Sequence, residues 1–224
     1  MDYITKDTFK TDCGFEVKSE DIVEAINLTN NILSDLPASL YKSIDFKTTS
    51  SVVGSIFCES LASRLGVMVN PIEKGHPDII PSSGKDASEA ELRNFPQGLE
   101  VKTTIGSIET GANLRAGVKR IDKLTGITWQ AHHQEVKNLL GLTWDFTNEK
   151  NTFNYPAITG AFYGQELSKD DSGKVSGTTG RNTKVCGMKV SGKQKMGNGW
   201  VAVLDEAAYK AAFKTHLKKP DETD

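Results

Sequence analysis

Asp78, Glu100 and Lys102 are the residues whose types and spacing suggest chemistry. In the run Gly98-Leu-Glu-Val-Lys-Thr-Thr104, strand alternation puts Leu99 and Val101 on one face, Glu100 and Lys102 on the other. A carboxylate and an ammonium then point together, away from the core. Asp78 precedes the β-branched pair Ile79-Ile80, so an acid sits at the start of a strand that reads as buried, and such a position needs a reason. If the two strands are neighbours, Asp78 and Glu100 converge on one hard cation. Mg2+ suits that pair, because it takes oxygen ligands and commonly uses one or two carboxylates plus waters. Such a site lowers the pKa of the attacking water and stabilises charge on a phosphate, and Lys102 lies beside that water. The competing reading makes Asp78 a turn acid and Glu100 with Lys102 an exposed ion pair of little consequence.

The elements that must position these residues are legible around them. Ser50 or Ser51 starts a helix through Val52, Val53, Ile56, Phe57, Leu61 and Leu65, and Gly66 stops it. Glu59 falls beside Ile56 and Val52 on that helix, near its apolar face. Upstream, Ser19 opens a core helix with Ile22, Val23, Ile26, Ile32 and Leu33, ending before Pro37. Short extended runs follow Val67: VMVN, DII after His76-Pro77, then the 98–104 strand. Residues 81–98 read as a loop with one helical turn around SEAELRNF. ITWQAHH, NLLGLTWDF, YPAITGAFY and GWVAVL read as further strands, and Ala207, Tyr209, Ala212, Phe213 and Leu217 as a C-terminal helix.

Pro77-Asp78 followed by Glu100-x-Lys102 resembles the motif of the PD-(D/E)xK nuclease superfamily, and its setting is similar to the type II restriction endonucleases. The motif resemblance covers mainly residues 50–104. It implies a single α/β domain over residues 1–219, with a central mixed β-sheet flanked by helices in a restriction-endonuclease-like arrangement, and a frayed tail at 220–224. It implies Mg2+-dependent hydrolysis of double-stranded DNA at a short specific sequence, leaving 5′-phosphates. Asp78 and Glu100 then hold the metal with the backbone carbonyl of Val101, Lys102 orients or deprotonates water, and Glu59 assists. A homodimer on a palindromic target and pairing with a DNA methyltransferase are the expected partners. A repair nuclease of the same superfamily would share the metal site without needing a fixed target. A non-catalytic DNA-binding protein would need no metal.

Charge distribution locates a candidate DNA face. The chain has 27 basic and 29 acidic residues, a net −2 that alone argues weakly against nucleic-acid binding. Residues 1–100 carry 9 basic against 16 acidic side chains, however, and residues 101–224 carry 18 against 13. Between Ser172 and Leu204, Lys174, Arg181, Lys184, Lys189, Lys193 and Lys195 meet no acid. In this Gly-rich stretch, expected to be mobile without DNA, Arg181, Asn182, Lys184, Lys189, Lys193, Gln194 and Lys195 are the candidates for reading bases and phosphates within a recognition region of about 105–200. Arg115, Lys119 and Arg120 form a second basic group. His132 and His133, adjacent on a strand, point to opposite faces and suit DNA contacts better than one metal ion. His76 reads as a loop histidine without a catalytic task.

Composition excludes several classes. At 224 residues with 37% hydrophobic and 25% charged side chains, the chain is long enough for a sizeable core and unlike disordered or fibrous sequences. Cys13, Cys58 and Cys186 are too few and too scattered for a disulfide framework or a CxxC zinc site. No phosphate-binding glycine loop has the required strand–loop–helix frame. A start without signal-peptide layout and no apolar run of roughly 18 residues lead to the expectation of a cytoplasmic protein with no membrane partner.

Overall fold

The computed structural model describes residues 1–73, 75–105, 128–130, 137–147, 152–174 and 185–212. Its chain opens with β1 (Tyr3–Thr5), β2 (Lys10–Asp12) and β3 (Glu16–Lys18), which lead into α1 (Ser19–Asp35), the short α2 (Ala38–Ser43) and α3 (Phe46–Leu65). The motif region follows as β4 (Met68–Val69), β5 (Ile79–Ile80), the turn-length α4 (Glu89–Leu92) and β6 (Glu100–Ile105). After β7 (Thr128–Gln130) come the long strands β8 (Leu139–Thr147) and β9 (Thr152–Gly164), then β10 (Val185–Gly187), α5 (Val190–Asn198), β11 (Trp200–Leu204) and α6 (Ala207–Ala212).

The central sheet is mixed, in the order β1-β11-β9-β8-β6. β6 runs parallel to β8, and the other neighbours are antiparallel. Alternation along β8 explains the two layers that cover this sheet. Leu140, Leu142 and Trp144 turn to one side and join Ile22, Ile26, Val53, Phe57 and Leu61 of α1 and α3. Leu139 turns to the other side and packs with Phe162, Met196 of α5 and Tyr209 of α6. Helices therefore flank a mixed α/β sheet on both faces in one compact domain, the arrangement expected from sequence at this coarse level. Among the described residues, no helix is long and apolar enough to cross a membrane.

Local signals explain most element ends. α1 starts at Ser19, as expected, where Asp21 accepts from the Lys18 backbone N–H at 3.0 Å. α3 begins earlier than expected. Its cap is Asp45, whose carboxylate accepts from the Thr48 N–H at 2.7 Å, so the four residues before Ser50 are already helical. It ends at Gly66 in the left-handed conformation (φ 66°).

The described part of the Gly-rich segment departs further from expectation. Residues 190–198 form α5 rather than a pliable loop. Two close approaches require its glycines: a Cβ at Gly192 would lie 2.6 Å from the Met188 side chain, and one at Gly199 1.7 Å from the Tyr163 carbonyl oxygen. Backbone packing, not flexibility, is the use of glycine here.

Candidate functional site

The register between β5 and β6 assembles the site. Ile79 and Leu99 exchange both backbone hydrogen bonds, 3.1 and 2.9 Å, in an antiparallel bridge. In that register Asp78 lies opposite Glu100, so the two carboxyl-bearing residues share one face as direct cross-strand neighbours. β4 holds β5 from its other side, pairing Val69 with Ile79 and donating the Asn70 N–H to the Asp78 carbonyl at 2.8 Å. The Asn70 amide pins the intervening loop, donating to Pro77 O at 3.2 Å and Leu92 O at 2.8 Å.

Asp78, Glu100 and Lys102 come together as the sequence suggests. Asp78 Oδ2 accepts the Val101 N–H at 2.8 Å, and Lys102 Nζ lies 2.6 Å from Glu100 Oε1. The alternative of a solvated surface pair fails on burial, since Glu100 is 0% exposed. The outward face of β6 expected for Glu100 is closed by the 70–78 loop, whose His76 places Nδ1 3.3 Å from Glu100 Oε2. Lys102 and His76 thus bracket the Glu100 carboxylate. Burial, reinforced by the nearby negative charge of Glu100, pushes the Asp78 carboxyl up to about 6, although Lys102, the Val101 N–H and His76 oppose that rise.

A cleft of about 670 Å³ opens in front of this cluster. Asp78, Val101 and Lys102 line one wall. The other wall is α3, which contributes Lys47, Ser51, Ser55 and Glu59, one residue per i,i+4 step and all exposed. Glu59 therefore faces the motif across the cleft, on the flank of α3 that its spacing from Val52 and Ile56 indicates. Glu100 lies just behind the surface, with Lys102 over one oxygen.

The donor set fits magnesium better than a softer ion. Among the described residues, no group of three or more His, Cys, Asp or Glu side chains is arranged to hold a metal. Asp78 and Glu100, with the backbone carbonyl of Val101, would offer the hard oxygen donors that Mg2+ takes, leaving much of its coordination sphere to water and substrate oxygens.

Other expected residues are only partly gathered. Lys189 caps α5, while Lys193, Gln194 and Lys195 lie on it. Lys195 is not a free phosphate contact, because its Nζ pairs with Asp171 Oδ2 at 2.8 Å and donates to Glu166 O at 2.8 Å. Burial works against the charge on Asp171, yet hydrogen bonds from Lys195, Ser191 and Ser168 outweigh it and hold the carboxyl down at about 2. α5 covers the opposite face of the sheet from α3. Met196 of α5 abuts Gly164, which pairs with Leu139, itself level with Glu100. Arg181, Asn182, Lys184, Arg115, Lys119, Arg120, His132 and His133 lie outside the described residues.

Sequence reasoning passed over Asn70 and the α3 stripe, and it took His76, here set against Glu100, for a loop histidine without a catalytic task. The stripe was findable by stepping back from Glu59 in fours to Ser55, Ser51 and Lys47. Contacts of His76 and Asn70 had no local signal. No protein-family model, curated protein or solved structure matches the chain.

Proposed function

We propose that the protein is a Mg2+-dependent endonuclease of restriction type, cutting double-stranded DNA at a short specific sequence. The observation that carries this reading is the register placing Asp78 opposite Glu100, with Lys102 against Glu100, on the wall of an open cleft. A mixed sheet with helices on both faces and the motif on its edge is compatible with a restriction-endonuclease-like fold. Bound Mg2+ would supply Lewis-acid polarisation of the phosphate and a lower pKa for the attacking water. Asp78, Glu100 and the Val101 carbonyl would hold the ion. Lys102 Nζ, now paired with Glu100, orients the attacking water and neutralises charge growing on the phosphate. Lys47 offers a cation to the DNA strand lying along α3, and Glu59 assists from the same wall. Water would form a bond to phosphorus as the P–O3′ bond breaks, the 3′-oxygen taking a proton from solvent and the phosphate staying on the 5′ side. A two-fold target is most simply read by a homodimer, with DNA meeting Lys189, Lys193 and Gln194 of α5.

Incubating the purified protein with Mg2+ and a mapped plasmid tests this reading. Discrete bands are expected, and a smear would point instead to a repair nuclease. Lys102→Ala should slow cleavage by roughly 10²-fold or more while DNA binding persists. Cleavage within tenfold of the unsubstituted protein would overturn the assignment of Lys102. Calorimetry in Mg2+ should show binding that Asp78→Asn removes, and its absence would favour a DNA-binding protein without catalysis.

A further inference from the structure

A second pocket shares His76 with the motif cleft. Its volume is about 370 Å³, at the lower end of the roughly 300–1,000 Å³ range typical of small-ligand sites. Phe95, Pro77 and Pro96 provide flat apolar surface, and Asn94 and Asn138 provide amides. Among the described residues, Lys137 and His76 are its basic side chains, and no carboxylate lines it. The Asn138 amide is oriented by the Tyr163 hydroxyl, which donates to Oδ1 at 2.9 Å and leaves Nδ2 as the donor it offers. A flat, hydrogen-bonding and anionic ligand suits this lining: a single nucleotide, with its base against Phe95 and its phosphate at Lys137.

Position reinforces chemistry. His76 precedes Asp78 by two residues and Gly98 precedes Glu100 by two, so the pocket wall stands within about 7 Å of chain from either carboxylate. That is one nucleotide step from the phosphate the motif would attack. Gly98 is required on this wall: at φ 142°, an added Cβ would lie 2.3 Å from Ile79 O and 3.0 Å from the Pro77 ring. The pocket is therefore a built feature of the β5–β6 junction.

We propose that this pocket binds one nucleotide unit of the DNA substrate, its base unstacked from the duplex, next to the phosphate that is cut. The inference rests on the nuclease reading for its substrate, but its binding test does not need cleavage.

Titration of the full-length protein with the four deoxynucleoside 5′-monophosphates, followed by NMR shifts or calorimetry without metal, tests it. Saturable binding with a dissociation constant of about 1 mM or below is expected for at least one of them. Phe95→Leu should weaken binding about tenfold through loss of the stacking ring, and Lys137→Ala should weaken the monophosphate more than the corresponding nucleoside. Asn94→Ala, at an exposed position, serves as a second variant if Phe95→Leu disturbs the fold. Inorganic phosphate binding as tightly as the nucleotides would reduce the pocket to an anion site and overturn the proposal. Binding unchanged in Phe95→Leu, Asn94→Ala and Lys137→Ala, or no saturation with any of the four, would overturn it too. Mg2+ calorimetry on Asp78→Asn reports separately on the nuclease reading, so either idea can fail alone.

Discussion

Replacing Asp78 by Asn should make the metal-free protein more stable at pH 8 and, on the proposed nuclease reading, abolish Mg2+ binding. Burial and Glu100 raise the Asp78 carboxyl from its ordinary 3.8 to about 6. An acid whose folded pKa lies above its unfolded one leaves stability intact at low pH, where both states are protonated. Stability is then lost as pH rises from about 4, where the unfolded chain ionises, to about 6, where the folded one does. At 1.36 kcal/mol per pKa unit, the difference between 3.8 and about 6 corresponds to about 3 kcal/mol of strain on the native state above pH 6. Asn is nearly isosteric, keeps an oxygen to accept the Val101 N–H, and carries no charge to desolvate. Part of the gain is offset because Lys102 and His76 lose a favourable partner, so about 1 to 3 kcal/mol should appear. For a chain of this size that is a rise in Tm of roughly 2 to 10 °C at pH 8, shrinking toward zero near pH 4. Thermal melts from pH 4 to 8, with and without Mg2+, read this directly. Mg2+ should stabilise the unsubstituted protein at pH 8 and leave Asp78→Asn unchanged. A variant that melts lower at pH 8, or a difference that does not vary with pH, would refute the account of Asp78 as a buried, strained carboxylate.

Three further outcomes are expected. Lys189→Ala with Lys193→Ala should flatten the salt dependence of DNA binding by about two in log–log slope and weaken all sequences alike; titrations at several salt concentrations check this, and an unchanged slope removes α5 from the DNA face. Gly199→Ala should destabilise severely, because the new Cβ meets the Tyr163 carbonyl at 1.7 Å and backbone must move; chemical denaturation should show a loss well beyond the roughly 1 kcal/mol typical of point variants. Cys13, pushed up to about 11 by burial, and Cys58, raised by burial and by the charges of Asp78 and Glu100, should resist thiol reagents at pH 8 until the protein unfolds, as a timed thiol assay with and without denaturant would record.

By itself the sequence determined the elements whose signals are local. Period-3.6 patterning marked α1, Gly66 marked the end of α3, and alternation from Leu99 to Lys102 put Glu100 and Lys102 on one side of β6. It also marked Asp78 as anomalous, because an acid ahead of two isoleucines conflicts with burial. Only the tertiary structure decided that the β5 and β6 segments pair, in the register that sets Asp78 against Glu100, since register depends on which edges meet and not on either strand alone. The loop closing over Glu100, with His76 on one oxygen and Lys102 on the other, was likewise decided by packing. The same holds for 190–199: its glycines read locally as freedom, yet the Asp171 backbone beside Gly192 and the Tyr163 carbonyl beside Gly199 use their missing side chains to seat a helix. Local propensity acts over a few residues, whereas burial and strand register are set by neighbours distant in sequence, and the chemistry of this site depends on the second kind.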